Sequence, residues 1–177
     1  DGTSLLVQSN VADAADATTN IFLKTLGDPS DIFKKVAIIA HRPSSYSWGK
    51  TDMALAIDTT DDSGNAQLSD AKLFISGITG NVGIGTTGPG TKLHISSAAD
   101  TTLQIENTDD TLIAEESLGT IQWKTNDPSY TASITNGITG KISSISQAVS
   151  GHIYALGFST GDTVTGYGER LRITGDG

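Results

Sequence analysis

The sequence predicts an all-β chain made of two tandem antiparallel modules. Three observations carry that prediction. First, 24 Thr and 19 Ser stand among 177 residues, together with 20 Gly. Thr favours strands, whereas Ser and Gly favour turns. Second, short apolar or alternating runs are punctuated by turn signals, among them Gly27-Asp28-Pro29-Ser30, Asp61-Asp62-Ser63-Gly64-Asn65, Asn136-Gly137, Ser150-Gly151 and Gly161-Asp162. Third, the chain repeats itself.

The repeat is collinear, with offsets between 98 and 101. Thr3-Ser4-Leu5-Leu6-Val7-Gln8 matches Thr101-Thr102-Leu103-Gln104-Ile105-Glu106. Ile21-Phe22-Leu23-Lys24-Thr25 is echoed by Ile121-Gln122-Trp123-Lys124-Thr125, and an Asp-Pro-Ser follows each, Asp28-Pro29-Ser30 and Asp127-Pro128-Ser129. Ala54-Leu55-Ala56-Ile57-Asp58-Thr59 matches Ala155-Leu156-Gly157-Phe158-Ser159-Thr160. Leu73-Phe74-Ile75-Ser76-Gly77 matches Leu171-Arg172-Ile173-Thr174-Gly175. Residues 1–77 are therefore read as a first β module, 78–99 as a Gly-rich connector, and 100–177 as a second module running into the start of a further connector. The closing Asp176-Gly177 is a turn dipeptide expected to lead into another strand.

Taken in order, Leu5–Gln8 is a short strand. Asn10 to Asn20 has the alanines of a helix but lacks large apolar residues, so it is equally a loop. Ile21–Thr25 is the next repeat strand. Lys35–Ala40 is β-branched and apolar, and its counterpart Lys141–Ser146 is much more polar. In the second module Leu103–Glu106 alternates apolar with polar, and Gly151–Phe158 is a further strand. Trp123 occupies the repeat position of Leu23 and is expected in the core.

Composition excludes several functions. A net charge of −9 disfavours nucleic acid and anionic membrane, which need Lys/Arg stripes. The absence of Cys removes disulfides, thiol nucleophiles and Cys-based metal sites. The longest wholly apolar run, Val36–Ala40, falls far short of the roughly 20 residues a bilayer demands. Only 36% of residues are hydrophobic and 6% aromatic, so each module has a thin core. Domains of that size bury only about 60% of their unfolded surface and need a staple. With disulfides absent and metal ligands sparse, association between chains is the remaining choice.

Asn81-Val82-Gly83-Ile84-Gly85-Thr86, followed by a Pro89 turn and Lys92-Leu93-His94-Ile95, forms one signature. Glu169-Arg170-Leu171-Arg172-Ile173-Thr174-Gly175 forms a second. Both resemble paired signatures of tail-fibre and related structural proteins of tailed bacteriophages. The first module departs from the pattern, reading Asp70-Ala71-Lys72-Leu73-Phe74-Ile75 where the family has Glu-Arg-x-Arg. The resemblance covers about 25 to 30 residues directly and extends to the rest only through the repeat. It implies an elongated, intertwined homotrimer about a threefold axis, often upstream of an intramolecular chaperone domain. Consistent with that, Gly80, Gly83 and Gly85 leave one edge without side chains, so that three chains can meet closely, as collagen's glycines permit. Val82 and Ile84 alternate with them onto the other face.

Other motifs carry little chemistry. Gly83-Ile84-Gly85-Thr86-Thr87-Gly88 has the spacing of a dinucleotide loop, but Pro89-Gly90 and a strand-like run follow it instead of a helix. Gly85 to Lys92 imitates a phosphate loop with Thr91 and Lys92 in reversed order. His41, His94 and His152 have no partner at ligand spacing and are expected at the surface or an interface. Asp58, Asp61, Asp62 and Asp70 read as a solvated hairpin tip, and Asp109, Asp110, Glu115 and Glu116 as loop charges. Tyr46 and Trp48, set among serines, either pack the core or offer a recognition surface for glycan or protein.

The expected function is a structural module of a trimeric extracellular fibre on a virion surface, spacing and presenting a receptor-binding tip. The rivals are a bacterial surface adhesin or filament subunit and, more remotely, a polysaccharide-degrading tailspike. The expected partners are the chain itself, adjoining fibre segments and a host surface glycan or protein. No enzymatic activity, cofactor, metal, nucleic acid or membrane is expected.

Overall fold

A computed structural model describes residues 16–23, 33–43, 49–126, 137–147, 153–162 and 166–175. The fold is all-β, and the chain divides into two compact units, Asp1–Thr102 and Leu103–Gly177.

The first unit is a six-stranded sheet whose strands lie in chain order: β1 (Ala17–Leu23), β2 (Val36–Arg42), β3 (Asp52–Ile57), β4 (Ala71–Ile75), β5 (Val82–Ile84) and β6 (Leu93–Ile95). Every pairing is antiparallel except β5 with β6. β3 alternates small with large apolar residues, and the period of two turns the small ones inward, while β2 turns Ala37 and Ile39 inward and Val36, Ile38 and Ala40 outward. Ala37, Ile39, Ala54, Ala56 and Phe74 are buried on this inner face with Ala66. Ala66 comes from the β3–β4 connection, which is tied back by Ala66 N–H donating to the Lys34 carbonyl at 2.8 Å and by Lys34 N–H donating to Asn65 Oδ1 at 2.9 Å. Phe22, Leu68 and Ala71 pack against this cluster.

The large residues stand on the outer face. Pairing aligns Ile21, Ile38, Leu55, Leu73, Ile84 and Ile95 in one row across all six strands. A second row runs Thr19, Ala40, Met53, Ile75, Val82 and Leu93, and a third Leu23, Val36 and Ile57. Ile21, Leu23, Ile38, Met53, Leu55, Ile57, Ile84 and Leu93 are all exposed.

The second unit is a four-stranded antiparallel meander of β7 (Ser117–Lys124), β8 (Ile138–Ser146), β9 (Tyr154–Asp162) and β10 (Gly166–Thr174). Its inner side is richer in hydroxyls: Ser143 and Ser159 are buried with Ile145 and Ala155, and Ser143 Oγ lies 3.1 Å from Thr120 Oγ1; Ser146, at the end of β8, is buried beside Glu116. The polar run Lys141–Ser146 is thus turned partly inward, where each hydroxyl needs a partner. An outer row again runs across the sheet as Ile121, Ile142, Phe158 and Leu171.

Repeat residues fall on strands of the same rank: Ile21 and Ile121 on the first, Lys35–Ala40 and Lys141–Ser146 at the second, Leu55 and Leu156 on the third, Leu73 and Leu171 on the fourth. The pairing of the central strands corresponds, Ile38 with Leu55 and Ser144 with Leu156. The flanking pairings slip by two. Ile21 faces Ile38, whereas Ile121 faces Ile142, and Leu55 faces Leu73, whereas Leu156 faces Ile173. A slip of two keeps every side chain on its face, so the pattern tolerates it.

Three expectations meet a different local structure. Residues 78–99, read as a connector, carry β5 and β6 and continue the first sheet. Within the segment read as helix or loop, residues 17–20 are strand, and 10–15 lie outside the described residues. Leu103-Gln104-Ile105-Glu106 forms no strand, and Leu103 and Ile105 are exposed. Alternation alone does not make a strand, which needs a neighbouring backbone to bond.

Candidate functional site

The Gly80–Gly85 segment carries β5, and local backbone contacts shape both of its ends. Gly80 and Gly85 have φ of +66° and +72°, a region that L side chains rarely adopt. A Cβ on Gly85 would collide with the Ser96 carbonyl oxygen, and one on Gly83 with that of Thr86. Asn81 Nδ2 donates to the Pro89 carbonyl at 3.1 Å, and Ser96 N–H to that of Ile84 at 2.9 Å. This is how eight residues join two parallel strands: the glycines let the loop fold flat on itself. Val82 and Ile84 project to the outer face as expected, Val82 half-buried and Ile84 exposed.

His41 overturns the expectation of a surface histidine. Its side chain is 11% exposed, and Nδ1 lies 3.1 Å from Oδ2 of Asp52, itself buried. Asp52 Oδ1 accepts Gly77 N–H at 2.8 Å, and His41 Nε2 faces Asp16 Oδ1 at 3.7 Å. The pair ties β2, β3 and the turn after β4 together. Nucleophilic catalysis would need a hydroxyl at Nε2, and a carboxylate stands there instead. The pair is invisible to local spacing, because its members are 11 residues apart and meet across a hairpin. Parity is the only signal: His41 follows Ala37 and Ile39, and Asp52 precedes Ala54 and Ala56, all facing inward. His94 Nδ1 accepts Gly90 N–H at 3.4 Å within the turn; His152 lies outside the described residues.

Two of the four acids read as a hairpin tip, Asp58 and Asp62, form an ion network with Lys35, and Asp61 is exposed. Lys35 Nζ donates to Asp58 Oδ2 at 2.7 Å and to Asp62 Oδ1 at 2.8 Å. Asp58 Oδ1 also accepts the Thr60 backbone N–H and hydroxyl. Lys35 and these Thr60 donors hold the Asp58 carboxyl down at about 2, and Asp62 is lowered by Lys35 and Gly64 N–H. Asp58 is buried, not solvated. Asp70 accepts Gln67 N–H at 2.8 Å. In the second unit Arg172 also bonds Glu169 and makes a paired contact with Glu115 at 2.7 and 2.8 Å, and this guanidinium lowers the Glu115 carboxyl. Asp109 accepts the backbone and side-chain bonds of Thr111. These carboxylates serve local structure, and no three His, Asp or Glu converge on a metal position among the described residues.

The second unit carries an apolar groove of about 660 Å³, lined by Leu103, Ile105, Leu112, Ile121, Ile142, Tyr154 and Leu156, with Glu106 its one carboxylate. Trp123, expected in the core, is 53% exposed, as Leu23 is at 54%. Both belong to the outer faces, where their shared repeat position puts them. Tyr46 and Trp48 lie outside the described residues. Neither a protein-family model nor a curated protein matches the sequence.

Proposed function

We propose that this chain is a structural module of a trimeric extracellular fibre, of the kind that phage tails carry, which spaces and presents a binding tip. The observation that supports the reading best is the repeat: the first four strands of the six-stranded sheet and the four strands of the second sheet follow in the same order, with matching repeat positions on strands of equal rank. Tandem repetition multiplies length without adding a reaction centre. The polar clusters fit this role, since each closes on itself as a brace. The resemblance of Asn81–Thr86 and Glu169–Gly175 to fibre signatures adds support from the sequence.

An antibody raised against the chain, gold-labelled and applied to particles and cells of the source culture, tests the proposal. Label along a virion appendage supports it. Label on a cell envelope favours the adhesin reading, and label confined to the cell interior contradicts both.

A further inference from the structure

We infer that the outer, large-residue faces of both sheets are covered by other copies of this chain, an inference that rests on the self-association in the fibre reading. In the first unit eight outer residues are between 37% and 54% exposed. They leave on the order of 600 Å² of apolar surface, at the upper end of the roughly 300–600 Å² typical of a monomer's largest patch. With their half-buried neighbours they approach the roughly 800 Å² per partner of a standard stable interface.

Three observations identify the occupant as a second copy. The first is an inversion of size. Four of the six residues in the buried cluster are alanines, with Ile39 and Phe74 beside them, while eight branched or long side chains point outward. A chain that hides its small residues and shows its large ones needs a permanent cover, and its own copies are the cover present from synthesis in fixed proportion. The second is repetition. The second unit shows the same kind of row, Ile121, Ile142, Phe158 and Leu171, on strands of the same rank; Leu103, Ile105 and Leu112 of the same chain wall a groove over Ile121 and Ile142, and Leu171 stays exposed. A partner that meets both modules in the same way is one that repeats with them. The third is charge. Each chain carries −9, so identical chains repel wherever their charged surfaces meet. The three rows of the first unit's outer face contain no charged residue. That face is where like-charged copies approach at least cost. The glycines at 83 and 85 are already required within one chain, so the contact does not depend on them.

The chain has no cysteine, so a single introduced thiol reports coverage directly. Leu55→Cys places it mid-row on β3, Ile121→Cys repeats the measurement in the second unit, and Ser63→Cys gives an exposed loop control. The full-length protein is reacted with a maleimide at concentrations where sedimentation gives its assembly state, and again in urea. The expected result is modification of Leu55→Cys and Ile121→Cys slowed roughly tenfold or more against Ser63→Cys in the assembled protein, with the difference abolished in urea. A trimer in which all three variants react alike overturns the inference and leaves the fibre reading standing. A folded monomer reactive at all three positions overturns both. Protection in an assembly of another stoichiometry supports the covered face and removes the threefold fibre.

Discussion

Truncating Phe74 to Ala tests the division of the first sheet into a buried inner and a bare outer layer. Phe74 is 5% exposed and sits in register between Ala54 and Gly83, with nothing larger beside it on either strand. Among the described residues Ile39 and Phe74 are the large members of the buried cluster. Alanines cannot collapse into the space a ring vacates, so the upper part of the usual loss of about 3–5 kcal/mol applies. Against a domain stability of about 5–15 kcal/mol, that is about a quarter or more. For a unit of this size the melting temperature falls by at least about 12 °C. Urea unfolding at fixed protein concentration should show a lower midpoint with an unchanged slope. The adjacent residue supplies the contrast. Leu73 is half-buried on the outer face, so Leu73→Ala should cost about 1 kcal/mol in dilute single chains and more as concentration rises. A Phe74→Ala shift below about 3 °C, or a larger loss from Leu73→Ala in dilute solution, would refute the assignment of the layers.

Gly85→Val should destabilise the first unit itself, by about 1–2 kcal/mol for the left-handed backbone and more for the collision with Ser96. Full stability in dilute single chains combined with lost assembly would instead place the glycine at a contact between chains. Acid unfolding should report Asp58: its carboxyl is held at about 2 in the folded state against about 3.9 when free, so its contribution is complete above about pH 4 and is lost as pH falls toward about 2. Asp58→Asn should be less stable at neutral pH and flatter between about pH 4 and 2, and an unchanged acid slope in that variant would assign the dependence elsewhere.

The strand content and the rank of most strands were legible because repetition and turn residues are local signals. Ile21 and Ile121 could be matched without knowing what they touch. The sense of the faces was not legible. In Met53-Ala54-Leu55-Ala56-Ile57 both sets are apolar, and alternation does not say which set lies inside; the β3–β4 connection decides it by delivering Ala66 and Leu68 to the small-residue side. Trp123 was misplaced for the same reason. The braces Lys35–Asp58 and His41–Asp52 join residues on neighbouring strands, which spacing along one strand does not reveal. β6 was legible as the strand-like run Lys92–Ile95, whereas the joining of β5 and β6 to the first sheet was not, because each is three residues long and lies among glycines that read as a linker.

Sedimentation equilibrium of the intact chain at micromolar concentration tests the central claim most directly. A self-assembling fibre module should give three times the 18.3 kDa chain mass, with the outer faces of both sheets inside the assembly. A stable, well-folded species of 18.3 kDa that keeps Ile21, Leu55 and Ile121 in water would contradict it.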